Sequence, residues 1–138
     1  TKQMQHDDMI NSIVYSPNGK YIVTASDDNT SKLWCVDSGK CILTFIGHTN
    51  YANSALFSPD GMYVVTTSED GTAKLWCVDS GRCLHTFNGL TYYVNSAFFS
   101  SDGKFIITAC SDKTAKVLGF LDYNDKTKNP VEYNRIFL

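Results

Sequence analysis

The chain has 138 residues, 43% of them hydrophobic and 19% charged, with a formal net charge of −2. That balance belongs to a globular domain and excludes a disordered polar segment. The near-neutral charge, with Lys and Arg scattered, excludes the basic stripe of a nucleic-acid binder, and no run approaches the roughly 18 apolar residues of a membrane helix.

No charged-then-apolar leader opens the chain, and a first residue of Thr1 is expected to mark a trimmed or partial sequence. From there the elements repeat. Residues 12–53 written above residues 54–95 need no gap, and roughly 25 of about 42 positions are identical. Residues 96–138 keep the register as far as Val117 and then depart from it. Each repeat opens with a short apolar run: Ser12-Ile13-Val14-Tyr15, Ser54-Ala55-Leu56-Phe57 and Ser96-Ala97-Phe98-Phe99. A turn follows: Ser16-Pro17-Asn18-Gly19, Ser58-Pro59-Asp60-Gly61 and Ser100-Ser101-Asp102-Gly103. Pro suits the second position of a type I turn and Gly the fourth.

Next come the β-branched runs Tyr21–Thr24, Tyr63–Thr66 and Phe105–Thr108, then polar turns centred on Asp28, Asp70 and Asp112. A third strand carries Lys32-Leu33-Trp34, Lys74-Leu75-Trp76 and Lys116-Val117-Leu118. The turns Asp37-Ser38-Gly39 and Asp79-Ser80-Gly81 lead into a fourth strand, Cys41–Phe45 and Cys83–Phe87. In the third repeat a loop over 119–130 replaces that turn, and 131–138 supplies the fourth strand. No sustained 3.6-residue period appears, so no helix is expected. The fold class is all-β.

Four short antiparallel strands in about 42 residues, repeated, match one blade of a β-propeller. The residues agree: Gly47-His48 at one end of a repeat and Leu75-Trp76 near the other resemble the WD-repeat (WD-40) family, over about 6–117. The family's Trp-Asp dipeptide stands here as Trp34-Cys35 and Trp76-Cys77. The whole chain, 1–138, then reads as a propeller segment with blades at about 6–47, 48–89 and, degenerate, 90–138.

His, Ser and Asp at fixed spacing invite a catalytic reading. The resemblance implies instead a structural hydrogen-bond network: His6, Ser26, Asp28 and Trp34 in one repeat, His48, Ser68, Asp70 and Trp76 in the next. The turn Asp orients the His, the His meets the Ser hydroxyl, and the Ser meets the indole N–H. A nucleophile copied at the same place in successive repeats is not expected, so no catalytic residue is assigned and the chain is read as no enzyme. The third repeat has Leu90, Cys110, Asp112 and Leu118 at these positions, losing His and Trp together.

The five cysteines cannot all pair within one chain. Cys35 with Cys41, and Cys77 with Cys83, flank tight turns where a disulfide is conceivable, but small buried thiols are the expectation. No metal site or cofactor is expected, because the histidines are not grouped with the cysteines at ligand spacing.

The resemblance places protein binding on the face built by loops entering the first strand and joining the second to the third. Carried over, these are Met9, Asn11, Tyr51, Asn53, Tyr93 and Asn95, with Asp27, Glu69 and Ser111 from the second loop. Tyr anchors bring large contact area at low entropy cost, and the acids favour a basic peptide. The expected role is an intracellular, cytoplasmic or nuclear, protein-interaction scaffold, binding no nucleic acid or membrane. The first repeat resembles repeats of a WD protein shared by histone methyltransferase complexes, which points weakly to chromatin. The alternative is the regulatory domain of a larger enzyme such as a nucleotide-binding ATPase or kinase. Three blades do not close a ring, so either further blades of a larger propeller or a second copy is expected to complete it.

Overall fold

A computed structural model of the chain describes residues 1–90, 92–119 and 136–137. Among them every regular element is a strand. Twelve strands form three antiparallel sheets of four: β1 (Ile10–Tyr15), β2 (Tyr21–Ser26), β3 (Ser31–Cys35) and β4 (Cys41–Phe45); β5 (Ala52–Phe57), β6 (Tyr63–Ser68), β7 (Ala73–Cys77) and β8 (Cys83–Phe87); β9 (Val94–Phe99), β10 (Phe105–Cys110), β11 (Ala115–Gly119) and β12 (Ile136–Phe137). Within each sheet, sequence neighbours pair in order, as a blade requires.

The turns explain why the third repeat tolerates the loss of its proline. Gly19, Gly61 and Gly103 all sit at φ near +70°, and each amide donates back to Ser16, Ser58 or Ser100 at 2.9 Å. The side chains of Asn18, Asp60 and Asp102 accept from the same serine hydroxyls and from the amides of Lys20, Met62 and Lys104. Left-handed Gly and the acceptor side chain close the turn, and Pro only biases it.

The core lies between the blades. Val23, Ala25, Leu33 and Phe45 of the first blade pack with Ala52, Ala55, Val64 and Trp76 of the second. Tyr63, Val65, Leu75 and Phe87 of the second pack with Val94, Ala97, Ile106 and Leu118 of the third. β6 is therefore buried at all six positions, because blades cover both of its faces. β10 alternates exposed and buried, because only one of its faces meets a neighbouring blade.

Two sequence expectations change. Gly119 ends β11 instead of opening a loop; within the 131–138 expected for the fourth strand of the last blade, Ile136–Phe137 are the described residues, and they pair to Leu118 and Val117. The rest of that loop, 120–130, lies outside the described residues, as do 131–135 and 138. All five cysteines are free, and only Cys110 is buried: Cys41 and Cys83 are exposed, Cys35 and Cys77 half-buried. The pairing register sets Cys41 opposite Trp34, not opposite Cys35, beside a bulge. Cys41 and Cys83 open the outer strand of their blades, whose far end, at Phe45 and Phe87, is the part buried in the core.

Candidate protein-binding face

One end of the blades is organised by a hydrogen-bond chain. His6 Nδ1 lies 2.8 Å from Asp28 Oδ2 and its Nε2 lies 2.6 Å from Thr24 Oγ1, while Trp34 Nε1 donates to the same Thr24 oxygen at 2.9 Å. The second blade repeats it: His48 to Asp70 at 2.8 Å, His48 to Thr66 at 2.7 Å, and Trp76 to Thr66 at 2.9 Å. The carboxylate assigns the imidazole proton to Nδ1, so Thr donates to Nε2 and accepts from the indole. Each of these imidazole, hydroxyl and indole groups thereby has a partner.

The hydroxyl in the middle is therefore Thr24 or Thr66, not the serine expected from the sequence. Trp34 pairs with Ile22 in the register, which makes Thr24 its diagonal neighbour, and Ser26 lies about 7 Å further along the strand. Ser26 and Ser68 instead secure the loops. Their hydroxyls donate to the carbonyls of Asp8 and Asn50, at 3.2 and 3.1 Å, and accept from the amides of Asp28 and Asp70. The signal was present in the sequence, since Thr stands at 24, 66 and 108 in all three repeats.

The acids in the chain are held ionised. Burial works against the charge of Asp28, but hydrogen bonds from the Thr30 hydroxyl, from His6 and from the amides of Thr30 and Asp7 outweigh it, and its pKa falls to about 2. Asp70 is lowered by the same contest, with burial opposed by Thr72, His48 and the Thr49 amide. Burial pushes the His48 pKa down, against the pull of Asp70.

This network fixes the loops that carry the candidate face. The Asp27, Glu69 and Ser111 amides donate to the carbonyls of Met9, Tyr51 and Tyr93 at 2.9–3.0 Å, so the structure joins the two loops of each blade pair by pair. Met9, Tyr51 and Tyr93 are exposed there, beside half-buried Asp27 and Glu69 and exposed Ser111. The asparagines have another duty. Asn11 Nδ2 donates to Asp27 at 2.7 Å and across to Ala52 O at 3.0 Å, and Asn53 Nδ2 donates across to Val94 O at 2.9 Å. Both clamp one blade to the next. Asn95, at the third such position, accepts from Ser111 at 3.2 Å.

Sequence reasoning missed three exposed side chains on this face: Asp7, Asp8 and Tyr92. The Tyr92 carbonyl lies 3.6 Å from the place a Cβ on Gly71 would take, which brings this Tyr beside the second loop of the middle blade. The Tyr92-Tyr93 dipeptide was its signal. At the opposite end of β1, β5 and β9 runs an apolar groove of about 230 Å³, lined by Val14, Tyr15, Leu56, Phe57, Phe98 and Phe99 among others. Among the described residues no three His, Cys, Asp or Glu side chains gather where they could hold a metal, and no helix is long and apolar enough to cross a membrane.

The family model for the WD domain, G-beta repeat, matches residues 1–35, 39–77 and 81–117. The chain belongs to the WD-repeat family. The second and third WD matches begin just before the fourth strand of one sheet and run to the third strand of the next, so the sequence unit straddles two blades. Among curated proteins the chain is similar to periodic tryptophan protein 2 of Arabidopsis thaliana, 45% identical over 49 residues, which are 36% of this chain and 5% of that protein. The same protein of Saccharomyces cerevisiae is 50% identical over 44 residues, 32% of this chain and 5% of its own length. The ribosome biogenesis protein BOP1 homolog of Aedes aegypti is 51% identical over 39 residues, 28% of this chain and 4% of that protein. The matches thus span about one WD repeat and a small part of each relative.

Proposed function

We propose that the chain is part of a non-catalytic WD-repeat scaffold that holds a basic protein segment on the loop face of Met9, Tyr51, Tyr92 and Tyr93, within a ribosome-assembly complex. The observation that carries this reading is the repeated pairing of loops, which brings an aromatic or Met side chain and a polar or acidic one together in each blade. Exposed aromatic side chains held by a rigid scaffold lose little entropy on binding. Asp7, Asp8, Asp27 and Glu69 add negative charge on the same face, which steers a basic partner.

The imidazoles of His6 and His48 have both nitrogens engaged, and the hydroxyls nearest them serve the same network. The polar set is thus accounted for by structure alone, which supports a binding role over a reaction. The ribosome-assembly setting rests on the names of the similar proteins, and it carries an intracellular, nuclear or nucleolar location with it. The resemblance to a chromatin WD protein gains nothing from those similarities.

The test is calorimetric titration of the chain with a Lys- and Arg-rich peptide, against a Tyr51→Ala/Tyr93→Ala variant. Affinity should drop about tenfold or more for two aromatic anchors and weaken with added salt. Equal affinity of the two proteins would remove the face from consideration.

A further inference from the structure

The two outer faces of the blade stack are unlike each other, and the difference bears on what each one receives. This surface is separate from the loop face above. Each blade offers a leading face to the blade before it and a trailing face to the blade after it. At the two internal interfaces the leading face places a small side chain at the centre of the contact: Ala55 against the first blade and Ala97 against the second, both 0% exposed. The trailing face opposite them supplies Val14 and Val23 in one case, Leu56 and Val65 in the other.

At the outer faces both halves are larger. The leading face of the first blade has Ile13 where the others have Ala, and it is 61% exposed. The trailing face of the third blade has Phe98 and Ile107, 58% and 44% exposed, where the others have Val or Leu and Val. If a second copy docked its first blade on this third blade in the established geometry, Ile would replace Ala against a wall already enlarged by Phe and Ile. Packed interfaces have little spare volume, and overfilling them is costly.

The asparagine that clamps each established interface nevertheless recurs at this edge. Asn11 and Asn53 each reach the first-strand carbonyl of the next blade, and Asn95 occupies the same position on the third. We infer that the trailing face of the third blade receives a WD-type blade with Ala or Gly at the position of Ala55 and Ala97, and that Ile13 excludes a second copy of this chain from that place.

The experiment is sedimentation of the full chain over a range of concentrations, beside the Ile13→Ala, Ile107→Glu and Ile13→Ala/Ile107→Glu variants. Ile13 and Ile107 are exposed, so these changes spare the fold, and circular dichroism checks that. Non-specific sticking and blade docking respond with opposite sign. Removing apolar surface at Ile13 weakens the former, whereas relieving the overfilled contact strengthens the latter.

The inference expects Ile13→Ala to associate about tenfold more tightly than the parent chain, and the added Ile107→Glu to abolish the gain. It is overturned if Ile13→Ala associates no more tightly than the parent chain, or if its gain survives Ile107→Glu. Parent chains that associate as strongly as Ile13→Ala, and lose this with Ile107→Glu alone, would make the second copy the occupant. Loss of peptide binding by Tyr51→Ala/Tyr93→Ala is read separately, so either reading can fail without the other.

Discussion

Phe45, on the last strand of the first blade, sets its ring 5.2 Å from that of Trp76 on the third strand of the second, tilted by 40°. Gly47 lies close to the same indole, where a Cβ would stand 3.3 Å from its outer edge. The segment joining two blades thus packs on the side chain that anchors the next network. Phe45→Ala should destabilise the chain by about 3–5 kcal/mol, because its ring is 1% exposed and a cavity would open between blades. Urea unfolding followed by Trp fluorescence measures it, and a cost below about 1 kcal/mol would mean that the blades do not depend on this contact.

Much of this was legible in the sequence, and the part that was not has a common cause. Period, turns and strand positions follow from residues acting locally: Gly19, Gly61 and Gly103 adopt a conformation that costs other residues. Which hydroxyl meets the indole depends on pairing register, so Thr24 was mistaken for Ser26. The inter-blade duty of Asn11 and Asn53 depends on a blade 41 residues away. The exposure of Cys41 and Cys83 follows from their place on an outer strand, which no local pattern states.

Acid should unfold the chain in a defined window. Asp28 has a folded pKa of about 2, below its ordinary 3.8, and Asp70 is lowered as well. A depressed carboxylate contributes stability that is complete above its unfolded value and is lost as pH falls through the folded one. His48 is also depressed, so it binds protons more readily when unfolded, and its contribution likewise fades as pH drops below its ordinary 6.5. Stability should therefore be level above about pH 7 and fall steeply between about pH 4 and 2. The largest single share is that of Asp28, about 2 kcal/mol. Thermal melts of Asp28→Asn should be flatter over that range; an unchanged slope would deny Asp28 the role.

Thiol labelling should resolve three classes of cysteine. Cys41 and Cys83 are exposed and should react first, while Cys110 is buried and should react only on unfolding. Cys35 and Cys77 are half-buried, but the Ser38 and Ser80 hydroxyls and the turn amides beside them lower their thiol pKa values. Rates at a lowered pH should therefore favour Cys35 and Cys77 more than exposure alone would allow. Ser38→Ala should slow Cys35 and leave Cys77 unchanged in a mass-spectrometric time course.

Ser31 invites a stabilising change. Its hydroxyl is buried at 1% exposure and finds no hydrogen-bond partner among the described residues. Ala73 and Ala115 occupy the same position in the other blades. Ser31→Ala removes an unmet donor and acceptor and should raise stability by about 1 kcal/mol. A lowered melting temperature would show that the hydroxyl has a partner after all.

The same substitution at equivalent positions should have unequal costs, and that contrast tests the network most directly. Thr66→Val keeps the shape of the side chain but leaves the Trp76 indole N–H without an acceptor and His48 Nε2 without a donor, both in a buried site. Two stranded polar groups cost about 2–4 kcal/mol. Thr108 occupies the same place in the third blade, but Leu90 and Leu118 stand there instead of His and Trp, and both are buried. Among the described residues its hydroxyl reaches only the Lys116 carbonyl at 3.4 Å and the Cys110 sulfur at 3.9 Å, neither a strong bond. Thr108→Val should therefore cost less than about 1 kcal/mol. Ser68→Ala should lie between the two, at about 1–2 kcal/mol, since Ser68 secures a loop through its bonds to Asn50 and Asp70. Denaturant midpoints at unchanged slope give the three values. If Ser68→Ala were the most damaging of the three, the serine and not the threonine would be the hinge of the network.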